Sequence, residues 1–561
     1  MTTVNPGQRL MSRSVRRGRV FAGGVAVVCS LLLAACSGNS GGGGDGPVPT
    51  VFITPSTANV PKGQSKSFTA TVVDAGPGVT WTVEGGVQYG TITATGPTTA
   101  LYTAPSGLPA GPITIRATST DDPRGAATAS VLVVIGSDVD QLTVGANVGL
   151  SPTGAIGNTY SGGQRSVSVS GSRVFTVWND NHTGDQDVYL AVSTDRGATF
   201  GNPIRVNDDA TTEAQLAPSV AVDATGRVVI AWIDARLNLD MVDPMYDVYV
   251  ATATIDQGGI ATVGTNQRVT TLGTHESRDP SVSLAIDAAG NVYVAWGDGT
   301  VTDTDVMLTK GVRLSSGLLN FASPVRVHEN FASDQSRPSV AVDAAGNVVV
   351  AWMDEQGGTG WDIYWRRGLF TAAGAVTWTT ANEIRVNIDT DGDQVSPSVG
   401  IDRQTGVAYV AWGQQIGLER RKLYIAKSDS AAMAVSANVD VLPAVDADQN
   451  FPSLVISGDD VTIGFADNRE CPAPCSLDPL DQNGTGSTDV YFVRSTGRDQ
   501  VSNLLMLNFG GNLRVNTDQV GTASHGRASV AVDDIGRAYV VWADSREQAS
   551  PLARAFFARV E

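Results

Sequence analysis

The side chains of this 561-residue chain whose types and spacing could do chemistry are a few arginines, four histidines, one cysteine pair and one aspartate run. Arg165, Arg278, Arg337 and Arg527 each stand just before a short run of Ser and Val, and guanidiniums gathered at one mouth would fork onto a carboxylate. His182, His275, His328 and His525 fall in connections between strands, where ligand contacts concentrate; His182, His275 and His525 join the arginines as ligand-binding candidates. Arg236, Arg469 and Arg546 follow an aspartate by two residues, and are expected to pair with loop carboxylates such as Asp247 and Asp489. Asp389-Thr-Asp391-Gly-Asp393 clusters the oxygens a calcium ion takes but lacks the closing Glu, so a solvated turn is preferred and no metal or cofactor is assigned. Cys471-Pro-Ala-Pro-Cys475 reads as a small disulfide in an exported protein. There is no His-Glu-x-x-His, no Gly-x-Ser-x-Gly and no phosphate-cradling glycine loop.

The elements that must position these residues repeat. Pro218-Ser-Val-Ala-Val-Asp-Ala-Thr-Gly-Arg-Val-Val-Ile-Ala-Trp-Ile-Asp is a strand, a tight turn and a second strand ending in an aromatic; copies begin at Arg165, Pro218, Pro280, Pro338, Pro397, Pro452 and Ala528. A third strand follows, as at Asp187-Val-Tyr-Leu or Asp489-Val-Tyr-Phe, then a fourth, as at Ile204-Arg-Val-Asn and Ile384-Arg-Val-Asn. Four antiparallel strands per unit predict a β-propeller over residues 138–561, seven-bladed, or six-bladed if one copy is distorted. The last unit stops after its third strand and an unassigned strand at Leu142–Val148 precedes the first, so the two ends are expected to share a blade and remove the open edges. Trp178, Trp232, Trp296, Trp352, Trp412, Phe465 and Trp542 then pack between blades, and the aspartates two residues after most of them cap the next loop. Short turns share one face; longer loops, with the histidines and the candidate arginines, share the other.

Composition excludes several classes. With 42% apolar residues the chain is not disordered, and a net charge of −18 argues against a nucleic-acid partner. Residues 1–35 carry five arginines, no acid, and an apolar run ending in Leu-Ala-Ala-Cys36, which is the layout of a signal peptide. That ending resembles the bacterial lipoprotein box, which implies that Cys36 is lipidated, with 36–49 a Gly-rich tether and Ser37 favouring the outer membrane. Residues 50–137 alternate in short strands around Trp81 and resemble bacterial immunoglobulin-like stalk domains, a β-sandwich. The fold class is therefore all-β, a sandwich followed by a propeller.

Ser193-Thr-Asp195-Arg-Gly197-Ala-Thr-Phe200 resembles the Asp box, or BNR repeat, of sialidase-like propellers, where it is structural; Ser428 and Ser495 stand at equivalent places without the full motif. Sialidases also need an arginine cluster, a tyrosine nucleophile with a glutamate, and an acid donor. The family's Arg-Ile-Pro motif is missing here, and nothing in the sequence pairs Tyr160 or Tyr246 with Glu213 or Glu276. The expectation is a monomeric, exported, lipid-anchored protein at the outer membrane or cell surface that binds glycan or protein through the long-loop face. The alternative is an exo-sialidase-like glycoside hydrolase acting on acidic glycans.

Overall fold

Segments such as Val228–Asp234 and Asn347–Asp354 are dense in β-branched residues, have no helical period and end at Asp or Gly turns, so they extend and pair. The computed structural model of the chain is built from such strands. It describes residues 48–561 except 108, 110, 135–141, 153–156, 159–164, 238–245, 271–280, 301–302, 330–332, 359, 373, 404, 418–419, 429–433, 458–459, 470–487, 496–506, 508, 519–524 and 547–553. The leader, Cys36, Tyr160, His275, Glu276, Arg278, Cys471 and Cys475 therefore lie outside the described residues. Among the described residues no helix is long and apolar enough to cross a membrane.

The first eight strands form two four-stranded sheets. One runs Thr50–Thr54, Ser65–Val73, Thr99–Thr103, Thr91–Ala94; the other runs Thr57–Pro61, Ala126–Val134, Ile113–Ser119, Val79–Val83, with its first pair parallel. Their facing side chains share a core around Phe68, Tyr102, Ile115 and Val131. The expected core aromatic, Trp81, is only half-buried against this core. Tyr102 takes the central place, because its hydroxyl reaches the Tyr89 carbonyl at 2.8 Å and so keeps a partner when buried.

Seven further sheets follow among the described residues. The first strands of blades 1 to 7 are Val167–Ser170, Gln215–Val222, Val282–Ile286, Gln335–Val342, Gln394–Ile401, Gln449–Ser457 and His525–Val532. Each packs beside the first strand of the next blade, and that of blade 7 packs beside that of blade 1, closing the ring. Second strands end in the aromatic series, every member of which is buried. In blades 2, 3 and 4 the fourth strand is split in two, as at Ala261–Val263 and Gln267–Arg268, both paired with Asp247–Ile255.

Blade 7 borrows its outer strand from the other end of the propeller segment. Val148–Gly149 pairs with Phe557 and Phe556 of Arg554–Val560, Val144 bridges to Val560, and Gly145 N donates to Arg559 O at 2.8 Å. The edge of the last sheet is thus covered by the segment preceding blade 1, which removes an unpaired row of backbone groups.

The register corrects the third copy. Ser219 faces Ala231, the residue before Trp232, and the residue facing the equivalent Ala295 is Ser283. Blade 3 is therefore in phase from Val282, two residues after Pro280.

Candidate functional site

The register exposes a feature that the candidate list lacked. Ser166, just before the first strand of blade 1, and Ser219, Ser283, Ser339, Ser398, Ser453 and Ser529 in the first strands of the other six occupy equivalent positions, and all are buried. Ser283 Oγ accepts from Val340 N of the next blade at 3.0 Å, Ser339 Oγ from Val399 N at 2.9 Å, Ser398 Oγ from Leu454 N at 2.9 Å and Ser453 Oγ from Val530 N at 3.0 Å. Ser529 Oγ accepts from Ser166 N at 3.0 Å, so the belt crosses the closure between last and first blades. These first strands diverge from one another and cannot form a ladder; the hydroxyls satisfy amides that would otherwise be buried without a partner.

On the long-loop side, the second strands of blades 1, 2, 4, 6 and 7 end in a knot built on an aspartate, whereas blade 5 carries Gln414 at that position. Trp232 Nε1 donates to Asp234 Oδ2 at 2.7 Å and Arg236 N donates to Asp234 Oδ1 at 2.8 Å; Trp352 and Trp542 bond Asp354 and Asp544 in the same way. Arg236 Nε and Nη2 fold back onto Asp234 at 3.0 and 2.7 Å, and its guanidinium lies 4.2 Å from the centre of the Tyr249 ring. Arg469 and Arg546 do the same with Asp467 and Asp544 over Tyr491 and Phe556. These arginines bond chiefly the aspartates two residues earlier, with the loop carboxylates Asp208 at 2.8 Å for Arg236 and Asp518 at 3.4 Å for Arg546 as further partners, and not Asp247 or Asp489. Those two pair instead with fourth-strand arginines, Arg268 of Arg268-Val-Thr at 3.6 Å and Arg514 of Arg514-Val-Asn at 2.8 Å, because the Arg at this fourth-strand position faces the start of the third strand.

The Asn of that phrase completes a nest between blades. Asn207 Nδ2 donates to Asp187 Oδ1 at 2.7 Å and Gln215 Oε1 at 2.9 Å, while its own Oδ1 takes Val188 N at 3.0 Å. Between blades 6 and 7 the same positions hold Asp489, Asn516, Asp518, His525, Asp544, Arg514 and Arg546. Here His525 stands where Gln215, Gln335, Gln394 and Gln449 open other blades. His525 Nε2 is 3.0 Å from Asp518 Oδ2 and 3.3 Å from Asp544 Oδ2, and Nδ1 faces the Thr488 carbonyl. Burial opposes its charge, but the hydrogen bonds to Asp518 and then Asp544 outweigh burial and raise its pKa to about 9. Ligand atoms of Asp518, His525 and Asp544 lie within 4.8 Å of one another, the one such metal-capable group among the described residues. Arg546 Nη2 already sits 2.5 Å from Asp544 Oδ2, so a metal cation would face a fixed guanidinium, whereas a proton on Nε2 serves both carboxylates.

The remaining candidates separate. His182 Nδ1 contacts Asp180, its neighbour in the blade 1 knot, and its ring lies 4.3 Å from that of Tyr189. His328 is buried and takes the Asn position of blade 3, accepting from Val306 N at 3.2 Å. Neither is brought to the channel. Asp389, Asp391 and Asp393 do not converge: Asp389 Oδ2 accepts from Gln414 Nε2 at 3.2 Å and Asp393 Oδ1 from Trp361 N at 3.1 Å. In the Asp box, Ser193 Oγ accepts from Gly197 N at 2.8 Å and donates to Asp195 Oδ1 at 2.7 Å, and Asp195 Oδ1 takes Thr199 N at 2.9 Å. Phe200 then packs edge-on against Phe557 of blade 7, so the motif locks the first blade to the last.

Arg337 and Arg527 do share a position, together with Ala217, Ser396 and Phe451: the bulge where the chain enters the channel, with φ between 51 and 56° at all five. Arg337 Nη1 donates to Ser396 Oγ of the next blade at 3.4 Å, so this position of blade 4 reaches that of blade 5. Arg165 is not their equivalent. It stands one residue further along, where the other blades carry Pro218, Pro338 and Pro397, and its Nη2 crosses the ring to the Val399 carbonyl of blade 5 at 3.0 Å. The expected ring of three equivalent arginines is therefore a pair at the rim and one inside. Tyr246 and Glu213 are neighbours: burial, then the charge of Glu213, raises the Tyr246 pKa.

No family model matches the chain and no curated protein does. Similar solved structures include an ulvan lyase, a polysaccharide lyase, at 12% identity, covering 73% of this chain and 95% of that one with a TM-score of 0.48. An α-L-arabinanase of Penicillium chrysogenum is 11% identical over 74% of this chain and 98% of its own, with a TM-score of 0.40. The intramolecular trans-sialidase of Ruminococcus gnavus is 11% identical over 70% and 93%, with a TM-score of 0.38.

Proposed function

We propose that the chain is an exported binding protein, tethered through Cys36 and raised on an immunoglobulin-like stalk, whose propeller takes an acidic glycan at the long-loop mouth of its channel. The observation that carries this reading is the rim. Arg337 and Arg527 occupy the left-handed bulge position, which in blade 4 reaches that of blade 5, so an acidic chain presents two guanidiniums on a rigid scaffold. A planar fork of this kind suits carboxylate or sulfate groups on sugars. Catalysis of the sialidase type would require those arginines around a paired tyrosine and glutamate, for which Tyr246, its pKa raised by burial and then by the charge of Glu213, is the described candidate.

The test is an array of acidic and neutral glycans read with the wild type, the double variant Arg337→Ala/Arg527→Ala, and Arg420→Ala, which removes an exposed pair with Asp446. Acidic-glycan binding should fall about tenfold or more in the double variant and hold in Arg420→Ala. Equal binding by all three proteins refutes the rim. Release of 4-methylumbelliferone from its sialoside, lost in Tyr246→Phe, would replace binding with catalysis.

A further inference from the structure

The channel holds a second cationic position, on the opposite side. A cavity of about 400 Å³ occupies the half of the channel nearest the short hairpin turns. Its walls come from the ends of all seven first strands, among them Val169, Val222, Ile286, Val342, Ile456 and Val532. Arg165 closes its inner end and Arg403, exposed on a hairpin turn, stands at its outer end.

Arg165 is half-buried and lines the cavity. Its hydrogen bond to the Val399 carbonyl is neutral, and no carboxylate pairs with it among the described residues. Burial, and then the like charge of Arg403, lower its pKa to about 10, so it stays charged at neutral pH but at a cost. Asp402 also borders the cavity, but it accepts from Thr405 Oγ1 at 2.6 Å and is not among the groups that shift Arg165. A half-buried guanidinium in a cavity whose side chains are mostly aliphatic, beside a second cation and inside a protein of net charge −18, has no carboxylate paired with it among the described residues, whereas arginines taken out of water ordinarily do.

We infer that this cavity is an anion site, distinct from the long-loop rim, in which the Arg165 guanidinium receives a small carboxylate that enters past Arg403 from the short-turn face. The free acid and the acid group of a monosaccharide share this chemistry. The volume accommodates either, since a water molecule takes about 30 Å³ of liquid.

The experiment is isothermal titration of the full chain with sodium acetate and with sodium glucuronate, against sodium chloride at the same ionic strength. Arg165→Met keeps the aliphatic stem and leaves only the Val399 carbonyl to rehydrate; Arg403→Gln changes an exposed residue and leaves the fold intact. Saturable binding of at least one carboxylate is expected in the wild type, weakened about tenfold in Arg403→Gln and abolished in Arg165→Met. Tighter binding of glucuronate identifies a sugar acid, and binding of acetate alone identifies a free small acid. Heat from neither carboxylate beyond the chloride control, or equal affinity in the wild type and Arg403→Gln, overturns the assignment. Because the rim residues are untouched, the outcome is independent of glycan binding at the other face.

Discussion

His525→Gln tests the nest between blades 6 and 7 with the residue that four other blades use at that position. The wild-type cluster balances Asp489, Asp518 and Asp544 against Arg514, Arg546 and a protonated His525. The equivalent cluster between blades 1 and 2 holds Asp187, Asp209 and Asp234 with Arg205, Arg236 and neutral Gln215, so the amide is sterically acceptable. The folded-state pKa of about 9 lies above the unfolded value of 6.5. Between these values the folded protein keeps a proton that the unfolded chain releases, so the histidine's contribution is complete below pH 6.5 and is lost as pH rises through 9. A difference of about 2.5 units corresponds to about 3 kcal/mol. Urea denaturation midpoints followed by tryptophan fluorescence at pH 6, 7.5 and 9.5 should therefore fall steeply with pH in the wild type. In His525→Gln they should start lower at pH 6 and converge with the wild type at pH 9.5. A variant that keeps the wild-type slope across this window would show that His525 is not the proton carrier.

Two further outcomes follow from the ring. Ser339→Ala strands the buried Val399 amide and should cost about 1–3 kcal/mol, with faster hydrogen exchange at Val399; unchanged exchange there would remove the serine belt as a closure device. Gly197→Ala places a Cβ 2.5 Å from Phe557 Cζ at a residue whose φ is +76°, so it should destabilise by about 1–3 kcal/mol; an unshifted melting temperature would mean that the Asp box does not hold blade 1 to blade 7.

The architecture was legible because its signals are periodic. A tryptophan that recurs with an aspartate two residues on, followed by Asp-x-Tyr and Arg-Val-Asn, needs no tertiary information to be read as one unit repeated. Phase was less secure: Pro280 looks like Pro218, yet blade 3 starts two residues later because the pairing is fixed by which serine faces the residue before Trp296. The arginines were the least legible. Arg165, Arg337 and Arg527 all precede a Ser, but a one-residue difference separates a rim position from one that spans the channel. The serine belt and the Asn-Gln nests left a usable signal in the recurring Pro-Ser-Val and Arg-Val-Asn phrases. Residue type alone does not separate serine and asparagine in strands from surface residues, yet here they satisfy backbone and carboxylate groups between diverging sheets.

That polar accounting also decides which residues remain for recognition. Asp234, Asp467 and Asp544 are each saturated by an arginine and a backbone amide, and Trp232 and Trp542 also bond theirs, so residues with the chemistry of a sugar platform are consumed in holding the blades. His182, His328 and His525 are consumed likewise. Among the candidate residues described, Arg165 lines the channel cavity, and Arg337 and Arg527 stand at the bulge where their strands begin, all three basic. A closed ring leaves two axial openings, and these residues divide between them, two at the long-loop rim and one facing the short-turn cavity. The two proposed anion sites therefore lie at opposite openings, and a ligand at one is expected to leave the other accessible.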